Sequence, residues 1–156
     1  ANSSNMPVEA LESSYDFLRV MYYGLIPDSA GPGRHRGGSG ICRVYEILAD
    51  GVMIHTTGDG HMNPPWGLAG GGDGTLSTKT LVREGKSIPL RALSSSEAKK
   101  GDLLVVETSG GGGFGDPRTR SRDAIHDDLA DGVIAPTTAH NIYGFPQAPS
   151  GAKPTD

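Results

Sequence analysis

The sequence predicts an α+β fold, with β-rich hairpins and Gly/Pro-rich loops followed by a C-terminal helical pair. Three observations predict it. Short runs rich in β-branched and aromatic residues are separated by turn signals such as Asp50-Gly51 and Glu84-Gly85-Lys86. Glycine supplies 24 of 156 residues, about twice the usual ~7%, without the fixed period of a collagen or solenoid. Beyond Pro117 the pattern changes to capped segments with apolar residues four apart.

In chain order, Pro7 to Glu12 reads as a short helix. Asn5 or Ser4 can cap it, and acids in its first turn suit the helix dipole. Phe17 to Tyr23 reads as a strand closed by Ile26-Pro27-Asp28. Residues 28–40 form a turn-rich loop carrying Arg34, His35 and Arg36, either solvated or in contact with an anion or partner. Cys42 to Leu48 alternates apolar and polar side chains, and Asp50-Gly51 predicts a hairpin returning through Gly51 to Thr57. Lys79 to Arg83 and Ser87 to Leu90 flank a second hairpin, and Leu103 to Thr108 is the most strongly apolar strand. Ser121 then caps a helix holding Ile125 and Leu129 that ends at Gly132, and a second helix runs from Ile134-Ala135-Pro136 to Tyr143. Residues 1–144 are expected to form one domain, and residues 145–156, with three prolines, a flexible tail.

Between the hairpins lies the stretch Asn63 to Gly74, with a diproline, the only tryptophan and five glycines. Proline fixes φ and glycine permits close backbone approach, so this loop is shaped for one path. Trp66 either plugs the edge of a core or presents itself for function.

Composition narrows the function classes. Apolar content of 35% and a net charge of -4 fit a soluble globular chain and give no reason to expect nucleic acid or a membrane surface. A lone cysteine, Cys42, allows no internal disulfide and fits a reducing, cytoplasmic setting. The chain opens Ala1-Asn2-Ser3 without methionine, which reads as a piece of something longer or a processed terminus.

Chemical signals are sparse. Gly110-x-Gly112-x-x-Gly115 follows a strand, but Asp116-Pro117 stands where a dinucleotide site needs a helix to open. Gly85-Lys86-Ser87 resembles the end of a phosphate loop, yet Thr80 occupies the required first glycine. His55, Asp59 and His61 could coordinate a divalent metal or supply a general base and its orienter. His126, Asp127, Asp128 and Asp131 read as the solvated face of a helix. No nucleophile motif stands out.

Four motifs in order nonetheless carry a resemblance: Asn5 to Glu12, Pro27 to Gly38, Pro64-Pro65-Trp66-Gly67-Leu68-Ala69-Gly70-Gly71, and Gly110 to Pro117. Together they resemble the C-terminal part of the hydantoinase B / 5-oxoprolinase family, which includes related subunits of acetone and acetophenone carboxylases. The helical pair, with Asp131 to Pro136, is similar too. The resemblance implies an ATP-binding hydantoinase A-like partner that phosphorylates an amide or enol oxygen, after which the B-type subunit completes ring hydrolysis or carboxylation. It implies a much longer B-type subunit, whose remaining N-terminal part would hold most metal-ligand and catalytic positions. ATP/Mg and a divalent metal are thus expected in partner chains, with no cofactor bound by this chain itself. The match departs from the family pattern at Asp59-Gly60-His61. No catalytic residue is carried over; the candidates near a shared site are His55, Asp59, His61 and Trp66. One reading is a small subunit or split C-terminal segment of such a hetero-oligomeric ATP-dependent enzyme, not active alone; the other is a non-catalytic structural assembly module of that complex.

Overall fold

The fold begins with a helix, α1 (Val8–Ser14), that has Glu9 in its first turn but Pro7 at its N-cap and no side-chain cap. The expected caps Ser4 and Asn5 lie outside the described residues, because the computed structural model describes residues 7–146. Six strands share the first of two compact units with a seventh: β1 (Leu18–Leu25), β2 (Ile41–Ile47), β3 (Val52–Thr56), β4 (Thr78–Arg83), β5 (Lys86–Pro89), β6 (Ser94–Ala98) and β7 (Leu103–Glu107). This unit comprises the described chain up to Ile26, with Gly40–Pro64 and Leu76–Ser109.

Its main sheet is antiparallel in the order β1-β2-β7-β4-β5, and β3 and β6 form a separate ladder. The Asp50-Gly51 turn exists, with Gly51 at φ 75°, but it does not make the expected hairpin. β2 is already flanked by β1 and β7, with Val44 opposite both Tyr22 and Val105. With both edges of β2 filled, the turn passes the chain to the second ladder, where Ile54 pairs with Ser96. Ile47 and Ile54 thereby meet in one core cluster with Leu81 and Ala98, joined by Val52, Leu90 and Leu104. Full burial of a side chain such as Ile47, Ile54 or Leu81 stabilises by roughly 1.5–3 kcal/mol. β6 has the sequence Ser-Ser-Ser-Glu-Ala and no apolar alternation; only Ala98 is buried on it.

A buried carboxylate ties the turn before β7 to β4. Asp102 accepts from Arg83 Nη2 at 2.6 Å and Nε at 3.0 Å, and from the Lys99 amide at 2.8 Å. The Arg83 hydrogen bonds, reinforced by the Lys99 amide, hold its carboxyl below the usual carboxylate range despite desolvation.

The second unit comprises Pro27–Ser39, Pro65–Thr75 and the described chain from Gly110 onward. Its loops pack through backbone. Around the segment Gly110 to Gly113, the facing neighbour recurs every third residue: Gly110 meets Ser29, Gly113 meets Pro32, Gly111 lies beside Gly38, and Gly112 meets the Trp66 carbonyl. That repeat is the one expected of a polyproline-II-like chain, with about three residues per turn. Lateral hydrogen bonds join the segments, including Gly31 N–H to Gly111 O at 2.8 Å, Leu68 N–H to Gly113 O at 2.9 Å and Gly72 N–H to Pro32 O at 2.7 Å. They satisfy backbone groups that side-chain-poor packing withdraws from water. Gly110, Gly112 and Gly113 keep negative φ, so what the position requires is the missing Cβ rather than a left-handed turn. Of the two readings of residues 28–40, full solvation does not hold for the backbone: Ser29, Gly31 and Gly33 are buried, while Arg34 and His35 are exposed.

The helical pair follows. α2 (Arg122–Ala130) is capped by Ser121, and α3 (Pro136–Asn141) starts on its proline. Ile125, Ile134, Ala139 and Tyr143 form their core, with Leu129 and Phe145 packed against it. Asp128 departs from the expected solvated helix face. It is 6% exposed, accepting from Arg36 Nη2 at 3.1 Å and from Arg120 Nη2 at 2.8 Å. The hydrophobic pattern of the helix could not reveal this, because both arginines lie on other segments. Of the expected tail, Phe145 belongs to the helix-pair core, and residues 147–156 lie outside the described residues.

Candidate functional site

In the first unit, the chain leaving β3 arches over the start of β4. Lys79 Nζ donates to the Thr57 carbonyl at 3.1 Å and contacts His61 Nε2 at 3.0 Å. Ser77 fastens the same arch, its Oγ donating to the Asp59 carbonyl at 2.8 Å and its amide to the Gly60 carbonyl at 2.8 Å. An ammonium has donors only, so for this contact to be a hydrogen bond His61 Nε2 must accept, which requires the Nδ1–H tautomer. No carboxylate lies in ion-pair reach of Lys79 among the described residues.

The His61–Lys79 pair sits in an open groove of about 650 Å³. Its lining includes the hydroxyl-bearing Ser77, Thr78 and Thr80 and the apolar Leu90, Leu93 and Met62. Met62 and Leu93 are 87% and 81% exposed. A cation and an imidazole N–H beside apolar walls suit a ligand with an anionic or carbonyl end and a hydrocarbon body.

The other sequence candidates are placed apart in role. His55 stands on the exposed side of β3, its Nδ1 2.8 Å from the hydroxyl of its cross-strand neighbour Ser95. Asp59 is exposed. Among the described residues no three His, Cys, Asp or Glu side chains gather closely enough to hold a metal. Of the alternatives that His55, Asp59 and His61 offer, a shared metal site finds no support among the described residues, and each imidazole has a different polar partner. Trp66 belongs to the second unit and is 73% exposed, so it does not plug a core; its backbone carbonyl packs against Gly112. Sequence reasoning missed Lys79, which reads as an ordinary strand residue until the arch places His61 beside it.

The family model described as hydantoinase B/oxoprolinase matches residues 1–117. The chain belongs to the hydantoinase B/oxoprolinase family. This hydantoinase B-family chain is 35% identical over 139 residues to an uncharacterised protein of Methanocaldococcus jannaschii, covering 89% of this chain and 24% of that one. To the caprolactamase subunit beta of Pseudomonas jessenii it is 31% identical over 142 residues, covering 88% and 24%. The crystal structure of that organism's ATP-dependent caprolactamase superposes with a TM-score of 0.78 at 26% identity, covering 93% of this chain and 26% of that chain. A nucleotide-free acetone carboxylase superposes at 0.75 with 21% identity, covering 90% and 23%, and so shares the fold. The chain thus spans about a quarter of the length of these relatives.

Proposed function

We propose that residues 1–144 supply the C-terminal domain of a hydantoinase B-type component in a hetero-oligomeric ATP-dependent enzyme. That enzyme would be of the hydantoinase, oxoprolinase or ketone carboxylase type, at work in the cytoplasm. The observation that carries the reading is the match of nearly the whole chain to about a quarter of each longer relative. An A-type partner would bind ATP/Mg and phosphorylate the amide or enol oxygen of the substrate. The rest of the B-type subunit would hold the divalent metal, for which the described residues offer no ligand set. Within that arrangement the His61–Lys79 pair faces the activated intermediate. Lys79 is a fixed cation for charge developing on oxygen, and His61 orients it and offers Nδ1–H. His55 and Asp59 lie near the same shared site.

A second reading is favoured by one observation. Trp66, Leu68 and Phe114 are 73%, 57% and 53% exposed around the glycine-packed segments, as an assembly module would require.

The test is made in the purified complex, with turnover and assembly measured side by side for His61→Ala, Asp59→Ala, Lys79→Met and Trp66→Ala. We expect His61→Ala and Lys79→Met to lower turnover by about 10²-fold, the scale of losing one transition-state donor, with assembly intact. Unchanged turnover in an intact complex sinks the shared-site reading. Loss of assembly in Trp66→Ala alone would favour the structural module.

A further inference from the structure

We propose that the second unit carries a binding pocket for a tetrahedral oxyanion of the phosphate class, walled by Arg118, Arg120 and Arg122. The three arginines alternate along one short stretch, where a turn of 3-10 helix (Pro117–Thr119) gives way to extended backbone at Arg120 and Ser121 before α2 begins. Together with Ile125, Tyr143, Gly144 and Phe145 they line a cavity of about 100 Å³. That is room for a small oxyanion and well short of the ~300 Å³ of sites for larger ligands.

Charge and rigidity support the same ligand. Both carboxylate oxygens of Asp128 are taken, one by Arg36 and one by Arg120, so this trio keeps one net positive charge. Arg120 is further held by the Arg34 carbonyl at 3.3 Å, which leaves its guanidinium fixed before any ligand arrives. The Arg122 guanidinium lies 5.9 Å from the Phe145 ring centroid. Among the described residues no carboxylate lies in ion-pair reach of Arg118 or Arg122. A guanidinium matches phosphate oxygens in a forked, charge-assisted geometry, and several converging ones favour an anion over water. The His61–Lys79 groove lies in the first unit and shares no lining residue with this pocket.

Titration calorimetry at constant ionic strength tests it, on the chain in the form in which it purifies, with potassium phosphate and ADP as probes. Wild type is expected to bind phosphate. Arg118→Gln/Arg122→Gln, at exposed side chains outside the Asp128 network, is expected to bind it at least about tenfold more weakly, and Arg118→Gln alone at least about threefold more weakly. ADP binding no tighter than phosphate identifies the free ion as the ligand; tighter binding lost in the same variants identifies a phosphoryl group carried on a larger molecule. Absence of phosphate binding in wild type, or an equal loss in Lys86→Gln/Lys100→Gln, overturns the proposal.

Discussion

A methyl group on Gly112 would land on the Trp66 carbonyl, and one on Gly113 on that of Pro32. Neither neighbour is the free end of a side chain, so the backbone itself would have to give way. Gly38 differs: a Cβ there meets nothing within 4 Å. Gly112→Ala is therefore expected to destabilise by about 2–3 kcal/mol, as overpacking of a close-packed interior does. Gly38→Ala should stay within about 0.5 kcal/mol. Urea denaturation of the two variants checks this, and equal midpoints would refute backbone packing as the reason for the glycines. The same scale explains what the sequence concealed. Hydropathy patterns report where apolar side chains go, and Gly110 to Gly113 have none; Asp128 and Lys79 likewise acquire their roles from residues on other segments.

Elements were more legible than their pairings. β1, β2, β4 and β7 announce themselves through residues such as Val20, Tyr22, Val44, Leu81 and Val105, which suit a pleated, half-buried surface. The caps of α2 could be read directly, because Ser121 and Gly132 act locally. β6 stayed hidden because three serines carry no burial signal. The Asp50-Gly51 turn does not close a β2–β3 hairpin, because a turn residue cannot say whether the next strand finds its neighbour's edge free. The β4–β5 hairpin is the converse case, with Arg83 opposite Lys86 across a two-residue turn. There Glu84 and Gly85 have φ 49° and 75°, the left-handed pair of a type I′ turn. Asparagine tolerates that conformation better than glutamate. Glu84→Asn is expected to stabilise by a few tenths of a kcal/mol to about 1 kcal/mol, read as a rise in the thermal midpoint. A fall would show that this turn does not limit the hairpin.

At the scale of the whole chain, each unit is assembled from three separated segments, and the chain passes between units five times. The consequence is asymmetric. Everything belonging to the first unit precedes Gly110, whereas the second unit needs Gly110 to Gly115 as the segment its two earlier loops bond to. Cutting the chain after Ser109 leaves β1 to β7 and the Ile47–Ile54–Leu81–Ala98 cluster intact. The same cut removes the acceptors of the Gly31 and Leu68 amides, and also the segment against which Gly71 and Gly74 pack. Few apolar side chains remain in those loops to hold them by burial, so the hydrogen bonds still possible between them, such as Gly72 N–H to Pro32 O, lose their support. Hydrogen exchange on the shortened chain should therefore show protected amides in β2, β4 and β7 and fast exchange at Gly31, Leu68, Gly72 and Gly74. Retained protection at Gly72 and Gly74 would mean that the two loops order each other without the third, and that the glycine-built unit does not depend on its central segment.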